Sequence, residues 1–271
     1  MSKFPRQPGR RPAAFVPRVE ALEGRDLPAP VTYAILPGNV LRVQGTNGAD
    51  QVVIFDNGTT GVNNVAVVAN GHTFLPGVAV TGVLVKTGNG NDSVHYNLIG
   101  ALVPNASRIV SIDLGAGFNQ FDGRLRAGLG TRSTLSLFVN GSSGVNRMSI
   151  NANADIGSRA ALTLQQIGGP GADNLTIDYS GQVAGALTAF ASGGAGDDHI
   201  NQVFTLMPGS AGTLSAEELG GAGNDTLLLA DNRVSLFDNT SIATEINGGL
   251  GFNKATATSD VTVSNAGIIR L

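Results

Sequence analysis

The sequence contains no cysteine and no tryptophan. Without cysteine there can be no disulfide framework, no thiolate zinc or iron–sulfur site and no cysteine nucleophile. The compartment is not fixed by this absence, since exported bacterial proteins often lack cysteine too. Aromatic residues make up only 5% of the chain, so a core must be filled mainly by Val, Leu, Ile and Ala, which suits thin layers and narrow interiors. Charged residues are 14%, against roughly a quarter in an average domain. No run approaches the roughly 18 to 20 apolar residues needed to span a bilayer, so no transmembrane segment is expected. What the 271 residues do hold is 38 glycines and 42% apolar side chains. That apolar content is enough for a sizeable core and argues against wholesale disorder.

Charge is unevenly distributed. Residues 1–25 carry six basic side chains (Lys3, Arg6, Arg10, Arg11, Arg18, Arg25) against Glu20 and Glu23, whereas the remainder carries eleven basic and eighteen acidic ones. A basic leader thus precedes an acidic body. The body offers no basic stripe for phosphates, which excludes nucleic acid as its expected partner and favours cations. Residues 1–30 hold Pro5, Pro8, Pro12, Pro17 and Pro28 and no apolar period, which predicts an extended, disordered segment. The apolar run Ala13-Ala14-Phe15-Val16 is too short for a conventional secretory signal.

Residues 31–271 form the second unit, and they repeat. A glycine turn ending in Asp or Asn recurs with last residues Asp50, Asp92, Asn119, Asn146, Asp173, Asp198, Asp225 and Asn253, at intervals of 42, 27, 27, 27, 25, 27 and 28. Two residues after each turn stands an apolar side chain: Val52, Val94, Phe121, Met148, Leu175, Ile200, Leu227 and Ala255. Spacing of two is strand spacing, so a strand follows each turn. A second alternating run, such as 109–114, 134–139 or 161–167, precedes the next turn, and polar or Pro/Gly stretches such as Met207-Pro-Gly-Ser-Ala-Gly separate the two runs. No single unit can bury its apolar face, so like must stack on like. The expected fold is all-β, a parallel β-solenoid of about eight coils with a period of about 27 residues. A β-sandwich is the competing fold, disfavoured because it has no turn motif at fixed period. The long first interval predicts a bulge or inserted hairpin containing Gly58-Thr-Thr-Gly61.

Three copies, Gly168-Gly-Pro-Gly-Ala-Asp-Asn-Leu-Thr176, Gly193-Gly-Ala-Gly-Asp-Asp-His-Ile-Asn201 and Gly220-Gly-Ala-Gly-Asn-Asp-Thr-Leu-Leu228, resemble the glycine-rich nonapeptide of repeats-in-toxin, or haemolysin-type, calcium-binding proteins. The resemblance implies secretion, and calcium held in the turns by aspartate carboxylates and glycine carbonyls. One departure stands out: family nonapeptides run in tandem, whereas here one occurs per coil. The leader segment Pro17-Arg-Val-Glu-Ala-Leu-Glu-Gly-Arg-Asp-Leu-Pro28 is similar to the Leu-Glu-x-Arg leader of bacterial surface and secreted proteins, which implies export to the bacterial surface or the extracellular space.

Calcium takes six to eight hard oxygens, and aspartates stacked one strand spacing apart would repel without a cation between them. The expected metal residues are therefore Gly169, Gly171, Asp173, Gly194, Gly196, Asp198, Gly221, Gly223 and Asp225, with Asp197 adding charge nearby. Asn119, Asn146 and Asn253 replace the carboxylate by an amide and suit hydrogen-bond ladders that need no ion. Turn formation alone also favours Asp and Asn at all eight places. Catalytic patterns are scarce: His72, His95 and His199 are isolated, no serine elbow or phosphate loop occurs, and the adjacent pair Glu217-Glu218 reads as a solvated strand edge. The arginines of successive coils occupy different places relative to their turns, so no aligned basic cleft is evident. The expectation is a non-enzymatic, exported, calcium-binding repeat protein whose partners are calcium and cell-surface polysaccharide or protein. A metal-free surface adhesin or spacer, and a β-helix polysaccharide lyase or epimerase, are the alternatives.

Overall fold

The computed structural model describes residues 30–234, 239–258 and 260–270. The readings placed on the leader, apart from Pro30, lie outside these residues. Strands follow one another with no helix between them among the described residues. The first seven are β1 (Thr32–Leu36), β2 (Val40–Gln44), β3 (Gln51–Asp56), β4 (Val65–Ala69), β5 (His72–Phe74), β6 (Gly82–Lys86) and β7 (Ser93–Leu98). The regular middle runs through β8 (Ser107–Asp113), β9 (Ala116–Leu125), β10 (Thr134–Asn140), β11 (Ser143–Asn153), β12 (Ala161–Pro170), β13 (Asn174–Gly181) and β14 (Ala186–Ala195). The last seven are β15 (His199–Leu206), β16 (Thr213–Ala222), β17 (Thr226–Arg233), β18 (Ser241–Asn247), β19 (Lys254–Ala257), β20 (Thr262–Ser264) and β21 (Gly267–Arg270).

From β6 onward the chain alternates between two sheets, even-numbered strands in one and odd-numbered strands in the other, each pairing in parallel with its equivalent one coil away. This is the expected parallel β-solenoid. The pairing Ser107, Thr134, Ala161, Ala186, Thr213, Ser241 reproduces the sequence period without a slip. About six turns keep the 27-residue period, fewer than the eight coils expected. The difference lies at the ends. In the first coil β3 folds back through β4 and β5 as an antiparallel meander, which is the inserted hairpin, with Gly58-Thr-Thr-Gly61 between β3 and β4. The last coil consists of the short strands β20 and β21.

Alternation decides the core. Leu135, Leu162, Leu187 and Leu214 face inward and lie in register on β10, β12, β14 and β16, while Met148, Leu175, Ile200 and Leu227 answer from the other sheet. Each such column is continuous apolar packing along the axis, worth roughly 25 cal/mol per Å² removed from water. Beneath the inserted hairpin a charged group replaces it. Arg108 is buried, and its Nε donates to Asp56 Oδ2 at 2.7 Å, while the Tyr96 hydroxyl donates to the same oxygen at 3.0 Å.

Candidate metal centre

All eight turns cross from the first sheet to the second at one edge of the solenoid. Gly169, Gly194 and Gly221 lie directly above one another in the parallel ladder. Gly171, Gly196 and Gly223 also stack, because a Cβ on any one would run into the carbonyl oxygen of the glycine one coil earlier. Their φ angles are 130°, 132° and 146°, which side chains rarely tolerate. The first glycine of each turn has a different role. A Cβ on Gly168, Gly193 or Gly220 would collide with Oδ2 of Asp173, Asp198 or Asp225 in the same turn. The double glycine is therefore a backbone requirement followed by clearance for a carboxylate.

That clearance marks where the aspartates point. Asp173, Asp198 and Asp225 are 3%, 3% and 1% exposed, tucked under the turns rather than displayed on the edge. The column is knitted by hydrogen bonds along the axis. The amide N–H of Asn146 donates to Asp173 Oδ1 at 2.6 Å, that of Asp173 to Asp198 Oδ1 at 2.8 Å, that of Asp198 to Asp225 Oδ1 at 2.9 Å and that of Asp225 to Asn253 Oδ1 at 2.8 Å. The same contact joins Asp50 to Asp92 and Asp92 to Asn119. Between the two amide rungs a side chain makes the link, Asn119 Nδ2 donating to Asn146 Oδ1 at 3.2 Å.

Only half of each carboxylate is satisfied. Oδ2 of Asp92, Asp173, Asp198 and Asp225 is buried and has no hydrogen-bond partner among the described residues. Asp50 differs, since Thr46 N–H donates to its Oδ2 at 2.7 Å and Asn70 Nδ2 to its Oδ1 at 2.7 Å. Burial raises the carboxyl pKa of Asp92, Asp173 and Asp225, with hydrogen bonds from Asp50, Asn146 and Asp198 respectively opposing it. Asp198 is pushed up to about 7, by burial first and then by the charges of Asp173, Asp225 and Asp197. A buried carboxylate with an idle oxygen needs a proton or a cation.

The donor set suits a hard cation in kind. Its atoms are oxygens, they repeat at the spacing of neighbouring strands, and the idle ones belong to consecutive rungs. The glycine carbonyls are less free: that of Gly221 accepts the Leu250 N–H at 2.7 Å. Nor do the acidic groups gather at one point. Among the described residues no three His, Cys, Asp or Glu side chains cluster as a metal set. The arrangement is a column shared rung by rung.

No known family model, curated protein or solved structure matches the chain.

Three features elsewhere escape the sequence reading. Glu218 is not a solvated edge but fully buried, with both oxygens unpartnered, inside the solenoid in the same inward column as Gln166. Strand alternation carries one member of the Glu217-Glu218 pair inward, and nothing local says which. On the outer face, Ser93 Oγ lies 3.2 Å from His95 Nε2, and His95 Nδ1 lies 3.6 Å from Asp122 Oδ2. Asp122 is, however, held at 2.6 Å by Arg124, and β7 is hydrogen-bonded on both sides, so its amides cannot serve as oxyanion donors. Lastly, Arg124, Arg126 and Arg147 line one hollow despite their different offsets from the turns. This is no aligned cleft, since Arg147 stands beside Gln120 and Arg124 beside Asn151, but arginines at different offsets from their turns still border one space.

Proposed function

We infer that the protein is a non-enzymatic, exported β-solenoid whose column of turn carboxylates takes up calcium. The single observation behind this reading is the run of idle, buried Oδ2 atoms on three successive rungs, Asp173, Asp198 and Asp225. At neutral pH these groups need either a proton or a counter-charge. Calcium would be held by these carboxylates and would supply that charge. The resemblance to haemolysin-type repeats points the same way, as does the leader. Low calcium inside a cell would leave the column incompletely neutralised, and high calcium outside would complete the fold there.

The test is a calcium titration of the chelator-stripped full chain at pH 7.5, followed by calorimetry and thermal unfolding. Calcium should bind and raise Tm, and Asp198→Asn should abolish most of that rise. Absence of both heat and a Tm change at millimolar calcium would sink the reading. A second reading, a metal-free spacer, draws support from Asn119, Asn146 and Asn253, which occupy the same rungs and join the ladder with no charge to neutralise. Under that reading Asp198→Asn raises Tm at pH 7.5 whether or not calcium is present.

A further inference from the structure

The outer face of the second sheet carries a basic hollow. In the β9–β11 pairing Gln120 stands beside Arg147, Asp122 beside Ser149 and Arg124 beside Asn151. Short side chains, Asp122 and Ser149, form the middle row, and Arg124, Arg126 and Arg147 line the flanks of a space of about 460 Å³. That volume lies within the roughly 300–1,000 Å³ typical of small-molecule sites.

Its charge is unbalanced. Arg124 is paired with Asp122 at 2.6 Å, and the same carboxylate also faces His95 across the neighbouring strand. Arg126 and Arg147 have no ion pair among the described residues, although both are exposed in a body rich in acidic groups. Arg147 stands beside Gln120 and Arg126 six residues further along, so the two unpaired guanidinium forks face the hollow from opposite ends, roughly 20 Å apart at Cα, and each suits one planar or tetrahedral oxyanion of an extended acidic ligand. Between them Gln120, Ser149 and Asn151 offer neutral donors and acceptors, the groups that meet sugar hydroxyls. A long polyphosphate fits less well, since outside the hollow residues 26–271 carry seventeen acidic side chains against eight basic ones.

We propose that this hollow binds an acidic polysaccharide, with Arg147 and Arg126 at its two ends holding carboxylate or sulfate groups of different sugar residues and Gln120, Ser149 and Asn151 meeting the hydroxyls between them. The hollow faces outward and begins one residue past the uncharged rungs Asn119 and Asn146, whereas the carboxylates proposed for calcium lie under the turns. Binding is tested at physiological salt with the full chain in millimolar calcium, a parallel run in chelator separating calcium bridging from direct contact, titrated with oligogalacturonate, sulfated dextran oligomers, neutral dextran and oligothymidylate. Arg126→Gln/Arg147→Gln should weaken binding of the acidic sugar by at least about tenfold. The charge-matched Arg132→Gln/Arg159→Gln, at exposed turns of the opposite edge, should change it less than about twofold. Whichever acidic oligomer binds more tightly identifies the carboxylate or the sulfate as the recognised group. Equal losses in the two variants would reveal diffuse attraction, tighter oligothymidylate binding would reveal a nucleic-acid surface, and silence with both acidic oligomers would show no site; each overturns the proposal.

Discussion

Glu218 shows how much one residue can owe to its surroundings. Burial lifts its carboxyl pKa well above the usual glutamate value of 4.5. Folding therefore favours the proton: this contribution is fully present below pH 4.5 and is lost as pH rises toward the folded value. Glu218→Gln keeps the shape and removes the ionisation. Its unfolding free energy should match that of the parent near pH 4 and exceed it at pH 8, as read from urea denaturation at both values. The aspartate column obeys the same sign. Without metal, Asp198 should erode stability between pH 3.8 and about 7, at up to about 1.4 kcal/mol per pH unit, and Asp198→Asn should flatten that slope. The same decline should shrink when calcium is added, because a cation replaces the proton.

At the level of the element, the turn and the strand place different demands on sequence. A strand needs only alternation, and the inward columns tolerate Leu, Ile, Met or Ala in the same place. The turn needs glycine at a defined point, because each coil's backbone rests on the one before. Gly171→Ala puts a Cβ against the Gly144 carbonyl at a φ of 130°, and should cost at least about 2 kcal/mol in chemical denaturation. Ala172→Gly, exposed beside it, should cost less than about 1 kcal/mol. Comparable losses from the two changes would mean that the turns do not carry the stack. These demands also explain what was legible. Strand positions, turn positions and even the inserted hairpin follow from period and alternation, which are properties of the chain. The facing of the carboxylates does not, since an Asp that ends a turn can point to solvent or under the loop. Only the clearance left by Gly168, Gly193 and Gly220 resolves it.

The whole molecule is a stack with unlike ends. At the beginning, antiparallel β1, β4 and β5 lie over the first coil, and Asp56, Tyr96 and Arg108 tie the inserted hairpin to the coils beneath. At the other end, short β20 and β21 each pair with one neighbour among the described residues. In a repeat protein each coil is stabilised by the coils on either side, so opening should proceed from the weaker end. Hydrogen exchange should find the amides of β11 to β15 slowest and those of β20 and β21 fastest, with β3 close to the middle strands because of its cap. Uniform protection along the axis would show instead that the solenoid opens as one unit.

The sequence by itself determined the repeat, the alternation that makes two walls of strands, and the glycines without which successive coils could not lie in contact. These are one-dimensional properties, and stacking at fixed period converts them into architecture with little room for another answer. Tertiary structure alone decided which way the aspartates face, that Glu218 is sealed inside, and that three arginines from two coils share a hollow. Those outcomes depend on side chains far apart in the chain meeting at one depth or on one face, and the free energy of such a meeting, through burial and charge, does not exist until the coils are assembled.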